Sequence, residues 1–183
     1  MAQKKMTVGR VRQLVYKLLD ESKPKSDLTV KIPQFIDAAQ KEISLYCPIQ
    51  KAVTLMEDAD VPEDFRRVIR VIGPDGVPLP WQMSEATGER QIHVQYYPAV
   101  MLYEKLPDDV PDTVQDEQEL ELPERTLMAV VFFVAAQCNS LEYDQRFFQS
   151  FYAQYQGKLA NLSQDVDSPT MTVLQDDTLP DWM

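Results

Sequence analysis

Apolar residues recur at helical spacing in two segments near the N-terminus. In the first, they form one face of a helix that we predict over about 7–21, with Thr7 as its N-cap. The members of this stripe are Val8, Val11, Leu14, Val15, Leu18 and Leu19. The second stripe is Leu28, Ile32, Phe35, Ile36, Ala39, Ile43 and Tyr46. It predicts a helix that ends at Cys47-Pro48, and Pro33 within it either kinks the helix or opens it.

The middle third of the chain changes to short alternating segments between turn residues. Apolar positions at 53 and 55, at 68–71 and at 92–96 predict a small antiparallel β region. The sequence 73–76, Gly-Pro-Asp-Gly, fits a type I turn, so we predict that 67–72 pairs with 77–82. Prolines at 78, 80 and 98 lack the amide donor of a strand ladder, which favours edges or bulges at those positions.

Two more helices are predicted after an acidic, proline-bearing segment at 106–122, which has the composition of an exposed connection. Pro123 fits the first position of the third helix, which is apolar nearly all round and is therefore expected to be surrounded by protein. The fourth helix carries an aromatic stripe that must pack against the core or another subunit. The stripe consists of Phe147, Phe148, Phe151, Tyr152 and Tyr155, continued by Leu159 and Leu162.

These elements predict an α+β fold, mainly α: a four-helix bundle with an inserted small antiparallel β region and an extended acidic C-terminal arm. We expect a single domain over 1–162, with the bundle at 7–47 and 123–162, the β insertion at 50–106 and the acidic loop at 107–122. The arm, 163–183, has too few apolar residues to fold alone. Its spaced apolar anchors predict contact with a partner, and they are Met171, Val173, Leu174, Leu179 and Trp182.

Charge is distributed unevenly along the chain, whose net charge is −11. Residues 1–26 hold seven Lys and Arg, whereas 108–124 holds eight acidic residues and no basic one. The overall charge disfavours binding to DNA or to an anionic membrane. Opposite charges at the two segments predict contacts between subunits of an assembly, in which Lys4, Lys5, Arg10 and Arg12 face Asp116, Glu117 and Glu119.

The residues that carry chemistry are few. The single histidine, His93, lies in an alternating strand and is expected to face solvent, and none of the common hydrolase, metalloprotease or phosphate-loop motifs is present. Cys47 and Cys138 lie in apolar stretches, so we predict buried, unpaired thiols. The acidic run 112–121 lacks the glycine and the alternating ligands of a calcium loop. We therefore predict a protein that is not an enzyme and has no metal or other cofactor.

Several short fragments, taken in order, resemble one family. They are Lys31-Ile32-Pro33, Ile36-Asp37, Ala39-Gln40, Glu42-Ile43, Val61-Pro62-Glu63-Asp64-Phe65, Val94-Gln95-Tyr96-Tyr97-Pro98, Val134-Ala135-Ala136-Gln137 and the segment from Tyr155 to Leu162. Over roughly 6–162 the chain resembles the head-tail connector adaptor proteins of tailed bacteriophages, the head completion proteins nearest the portal.

The resemblance implies a structural adaptor in the neck of the virion, assembled in the cytoplasm of the bacterial host. Such an adaptor forms a ring beneath the portal, usually about twelve-fold, joins capsid to tail and extends the DNA channel. Its partners would be the portal protein, copies of itself and the next neck or tail protein, with DNA only as passing cargo and no membrane. The arm would then contact a neighbouring subunit or the portal. The family has no catalytic residues.

Two alternatives remain at this point. One is a head-closure or tail-completion protein of the same neck. The other is a small intracellular protein-binding module that regulates a partner by presenting the groove of the fourth helix to it.

Overall fold

The computed structural model describes residues 6–20, 26–86, 89–141, 145–164 and 173–174. The chain divides into two compact units. The helical unit comprises Met1–Pro48 and Pro107–Thr170, and the β unit comprises Ile49–Leu106 and Met171–Met183.

Four helices lie in the described part of the helical unit: α1 (Val8–Leu18), α2 (Ser26–Ile43), α3 (Leu127–Leu141) and α4 (Gln145–Gln164). A short 3-10 helix, Glu124–Thr126, leads into α3. Thr7 caps α1 as predicted, because its hydroxyl accepts a hydrogen bond from the backbone N–H of Arg10 at 3.3 Å. Pro33 lies inside α2 and does not open it. None of the described helices is long and apolar enough to cross a membrane.

Helix α3 is the central element of the helical unit and contacts α1, α2 and α4. Every side chain from Ala129 to Ala136 is buried, which confirms that this apolar helix is surrounded by protein.

The β unit contains strands β1 (Ile49–Leu55), β2 (Ala59–Asp60), β3 (Phe65–Ile72), β4 (Trp81–Ala86), β5 (Glu89–Val94), β6 (Ala99–Lys105) and β7 (Val173–Leu174). One sheet has the order β3-β6-β1-β7 and the other has the order β2-β5-β4. β6 pairs antiparallel with β1 along its whole length and with β3 on its other side. Every residue of β6 is buried, so it is the central strand of this unit.

The predicted four-helix bundle with a small β insertion is wrong. The three other helices pack around α3, and the strands form a compact unit of two sheets. This unit has a core of its own, made of Leu55, Phe65, Val71, Ile92, Val94, Ala99, Met101 and Tyr103. The apolar residues of the middle third are therefore buried against one another across two sheets. A small β insertion on the side of a helical bundle would not need such a core.

The predicted pairing of 67–72 with 77–82 is also largely wrong. The turn itself is present, since Gly76 N–H donates to Gly73 O at 3.0 Å and Gly76 has a φ of 77°. Beyond the turn, the two segments share only the bridge between Ile72 and Pro78 and the hydrogen bond from Leu79 N–H to Val71 O. Prolines at 78 and 80 offer no amide donor. β3 therefore pairs with β6, and β4 pairs with β5 in the second sheet.

Both cysteines are buried and neither forms a disulfide bond, as predicted from their apolar surroundings. We expect an alkylating reagent to modify neither thiol quickly in the native protein, because the reagent must reach a thiolate that the fold shields. Mass spectrometry of native and denatured samples treated for equal times checks this. Rapid modification of both cysteines under native conditions would contradict the burial.

Candidate functional site

The acidic segment 107–122 is anchored to the helical unit. Its apolar side chains Val110, Val114, Leu120 and Leu122 are buried, while most of its acidic side chains are exposed. The sequence predicted an exposed connection, and this is correct only for the charged side chains. The apolar residues between them are buried and hold the backbone of the segment in place.

The beginning of α1 is hydrogen-bonded to this segment through the backbone. Val8 N–H donates to Gln118 O and Gly9 N–H donates to Asp116 O, both at 2.9 Å, and Leu120 N–H donates to Met6 O at 2.8 Å. The first N–H groups of a helix have no partner within the helix, so these carbonyls satisfy donors that would otherwise need water or a cap. Close approach of the two backbones is possible because residue 9 is glycine.

Two of the arginines predicted to contact other subunits are paired within the chain. Arg10 lies 2.6 Å from Glu124, and Arg12 forms an ion pair with Asp116. Glu117 and Glu119 lie on the exposed part of the acidic segment. Lys4 and Lys5 lie outside the described residues. The structure therefore brings the basic helix and the acidic segment together in one subunit, and their contact between subunits stays a prediction.

Helix α2 holds both ends of the acidic segment. Gln40, only 2% exposed, donates from Nε2 to Asp108 O at 3.0 Å and accepts at Oε1 from Glu121 N–H at 3.1 Å. Asp37 accepts a hydrogen bond from Val110 N–H at 2.9 Å. Asp37 and Gln40 belong to the fragments that carry the family resemblance, but their partners are too distant in sequence for the pattern to reveal them.

Lys41 of α2 adds ion pairs at the surface to these contacts with the acidic segment. Its Nζ lies 2.6 Å from Asp109 Oδ1 and 2.8 Å from Asp37 Oδ2. The hydrogen bond with Asp109, followed by that with Asp37, raises the pKa of Lys41 above its ordinary value. The acidic segment is thus positioned by hydrogen bonds and ion pairs as well as by its buried apolar residues.

The aromatic stripe of α4 is buried at one end and exposed at the other. Tyr155 is fully buried, and its hydroxyl donates to Glu42 Oε1 at 2.7 Å. Burial of the phenol, with this hydrogen bond, raises the pKa of Tyr155 well above its ordinary value. Phe147 is 54% exposed, and its ring stacks on Phe151. The stripe therefore contributes to the core at Tyr155 and to the surface of the helical unit at Phe147.

A cavity of about 280 Å³ opens beside the buried end of this stripe. Its lining consists of Glu42, Tyr46, Tyr152, Tyr155, Gln156, Leu159 and Ala160. Three phenol rings and aliphatic groups thus surround a single carboxylate in this cavity.

A charged network in the β unit is centred on Asp64. Asp64 Oδ1 accepts a hydrogen bond from the hydroxyl of buried Tyr103 at 2.8 Å, and Oδ2 lies 3.2 Å from Lys51 Nζ and 3.7 Å from Lys105 Nζ. Burial raises the pKa of Asp64, but the hydrogen bonds from Tyr103 and Lys51 and the two lysine charges outweigh burial, so its pKa lies below the ordinary value. The network joins β1, β6 and the residue before β3.

Sequence reasoning did not identify this network. Asp64 stood out only as part of the Val61–Phe65 fragment, and its partners come from two strands far away along the chain. The available signal was the pair of charged residues, Glu104 and Lys105, that ends the apolar run of β6; both are buried.

Three polar residues of the β unit form a hydrogen-bonded chain. His93 Nδ1 lies 2.8 Å from Asp58 Oδ2, and His93 Nε2 lies 2.6 Å from Ser84 Oγ. Tyr97 OH also donates to Asp58, and this hydrogen bond, followed by that of His93, lowers the pKa of Asp58. A nucleophile, a base and an orienting acid follow the same order in hydrolases, where the acid is buried.

These three hydrogen-bonded residues differ from a catalytic triad because their side chains are exposed to solvent. The side chain of Asp58 is 54% exposed and that of His93 is 36% exposed, so water competes for every hydrogen bond of the chain. Catalysis by such groups depends on a preorganised site of low dielectric constant that excludes water. The arrangement therefore fastens the loop at Asp58 to the strands β4 and β5. Within the described residues, no group of three His, Cys, Asp or Glu side chains could hold a metal ion.

Two of the five residues that were predicted to anchor the arm lie in the part of the chain that the structure describes. Val173 and Leu174 form β7, which pairs parallel to β1 at Gln50 and Lys51. Met171, Leu179 and Trp182 lie outside the described residues.

The described residues are distinguished by features at the protein surface. These are the acidic segment held in place on the helical unit, the exposed aromatic end of α4, and the strand β7 added at the edge of β1. The model of the SU10 adaptor protein family matches residues 6–174, so the chain belongs to this family of bacteriophage structural adaptors. No curated protein was found to match the chain. Family membership implies virion localisation and binding to other head or neck proteins of the phage, and it is consistent with a structural, non-enzymatic role.

Proposed function

We propose that this adaptor assembles as a ring beneath the phage portal, joins the capsid to the tail and extends the channel through which DNA passes. The observation that carries the proposal is the family match, which covers nearly the whole chain. The partners are the portal protein, further copies of the chain and the next neck or tail protein. A ring of about twelve copies follows from the resemblance to head-tail connectors.

The acidic segment supports a role in a DNA conduit. Hydrogen bonds to α1 and α2 hold its backbone, while most of its carboxylates point to solvent. DNA that must slide should not be retained by cationic groups that release its counterions, and carboxylates repel phosphate. We place this surface towards the channel or towards a neighbouring copy.

A closed ring of identical subunits needs two different, complementary patches on each copy. Arg10 and Arg12 already neutralise carboxylates of their own chain. We therefore place Lys4 and Lys5 of one copy near Glu117 and Glu119 of the next.

Electron microscopy of the purified protein, alone and mixed with the portal of the same phage, tests the proposed function. We expect closed rings seated on the portal in the mixture. A monomer or dimer that leaves the portal bare would contradict the proposal. It would favour instead a protein-binding module that uses the α4 surface.

Charge reversal at the acidic segment tests the proposed contact between copies. Glu117→Lys with Glu119→Lys should weaken assembly several-fold, because each exposed ion pair contributes about 0.2–1 kcal/mol and the contact recurs at every interface. Analytical ultracentrifugation across a salt series measures this effect. The matched control is Asp112→Lys, an exposed charge of the same segment, which should leave assembly nearly unchanged. Equal effects of the control and the double variant would contradict the placement.

A further inference from the structure

The outer edge of β1 accepts a strand from the end of the chain. β1 pairs with β6 along all seven of its residues, whereas on its other edge the described part of the chain pairs with it at Gln50 and Lys51, through β7. We propose that in the assembled ring β7 of one copy pairs with β1 of the neighbouring copy, so that the arm is exchanged from subunit to subunit. The inference rests on the proposed ring.

The first argument is that the arm and the β1 edge are already complementary. Val173 lies opposite Gln50 and Leu174 lies opposite Lys51 in parallel register. A ring needs a contact between two different patches of one chain, and a strand with its acceptor edge is such a pair. Exchange of the strand keeps every contact of the pairing and changes only the chain that provides it, which makes the exchange inexpensive in free energy.

The second argument is that the acceptor edge continues beyond the two paired residues. Among the described residues, no strand lies beside 52–55 on this edge of β1. Gln50 Oε1 and Thr54 Oγ1 on this strand are buried and have no hydrogen-bond partner. A buried polar atom without a partner destabilises the structure, so an added strand whose side chains donate hydrogen bonds to these two oxygens is favoured.

The third argument is chain length. Residues 165–172 connect the end of α4 to β7. An extended segment of that length spans up to about 27 Å, at roughly 3.4 Å per residue, which is close to the diameter of a small domain. Ordering the arm costs backbone entropy, which apolar contacts of Met171, Leu179 and Trp182 with the neighbouring copy would offset.

Single-cysteine copies can distinguish exchange from pairing within one chain. One full-length variant carries Gln50→Cys and the other carries Val173→Cys, and the two are mixed, assembled on the portal and treated with a short bismaleimide. The buried native cysteines stay in place, and excess thiol quenches the reagent before denaturation. Cross-linked dimers can form in this mixture only when the arm of one copy lies on β1 of another.

We expect dimers from the mixed single variants and a ladder of oligomers from the double variant that carries both cysteines. Rings in which the double variant cross-links only within one chain, or in which no cross-link forms, would overturn the exchange and leave the proposed function intact. If electron microscopy of the same samples shows no ring, the proposed function and the exchange both fail. The control pair is Glu85→Cys with Arg90→Cys across β4 and β5, which should cross-link only within the double variant.

Discussion

Replacement of Asp64 by alanine should lower the free energy of unfolding of the β unit by about 2–3 kcal/mol. The change removes the carboxylate that the Tyr103 hydroxyl and the ammonium groups of Lys51 and Lys105 share, and the Lys105 side chain is only 5% exposed. Loss of one partner from a fully buried ion pair costs about 3–5 kcal/mol; because Asp64 is 20% exposed, we expect less. Urea unfolding followed by Trp81 fluorescence, in a Trp182→Phe background, measures the change within the β unit.

The effect should depend on pH in a defined direction. Folding lowers the pKa of Asp64, so its ionised form contributes stability above the pKa of an unfolded aspartate, about 3.9. The contribution is lost as the pH falls through the lower pKa of the folded state. The difference between the wild type and Asp64→Ala should therefore be constant between about pH 5 and 7 and should narrow below about pH 4.

The adjacent carboxylate provides the matched control. Glu63 precedes Asp64 and is exposed, so Glu63→Ala should change stability by less than about 0.5 kcal/mol. Equal destabilisation by the two alanine variants would show that Asp64 acts only through general surface charge. Tyr103→Phe, which keeps the ring and removes the hydroxyl, should cost about 1.5 kcal/mol because a hydrogen bond to the charged carboxylate is lost.

The helices could be predicted from the sequence because each carries a local signal. Thr7 is an N-cap residue in front of a stripe with helical period, and the α3 segment is too apolar to lie at the surface. Both properties are decided within one or two turns of chain. The ends of α1 and α2 lie within about three residues of their predicted places, slightly more than the one or two residues by which helix ends fray.

The sheets could not be predicted in the same way, and β6 shows why. Its sequence, Ala-Val-Met-Leu-Tyr-Glu-Lys, is buried on both faces and therefore lacks the alternation that marks a half-exposed strand. Because β6 was not predicted, the segment after the turn was the only partner that the sequence offered for β3. The proline boundaries at 98 and 107 were the signal that would have identified a buried strand here.

The sequence showed which charged residues belong to the candidate site, but it did not show how they contact one another. The acidic segment and the basic helix were visible as charges, but their pairing within one subunit depends on the buried anchors Val110 and Leu120 and on Gln40. These residues act across long sequence separations. A single sequence contains no spacing that links Gln40 to Asp108 or Glu121.

Replacement of Gly9 by alanine should destabilise the helical unit, by up to about 2 kcal/mol, although alanine is the better helix former by about 1 kcal/mol. A Cβ atom at this position would lie 2.7 Å from Asp116 Cβ and 2.9 Å from Asp116 O, closer than such atoms approach. The Asp116 backbone must then move, which strains its hydrogen bond with Gly9 N–H and the ion pair with Arg12. Overpacking of this kind costs about 1–3 kcal/mol, which exceeds the gain in helix propensity.

The same substitution at Gly157 should have the opposite sign. Gly157 lies in α4 and is exposed, and apart from its chain neighbours and the backbone of its own helix no atom lies within 4 Å of the position that a Cβ would take. Gly157→Ala should therefore stabilise the helical unit by about 0.5–1 kcal/mol through helix propensity alone. Urea unfolding followed by far-ultraviolet circular dichroism measures both variants, because the described α-helices all lie in the helical unit. If both alanines stabilise the protein, Gly9 is not in close contact with the acidic segment; if both destabilise it, flexibility of α4 rather than helix propensity decides the effect at Gly157.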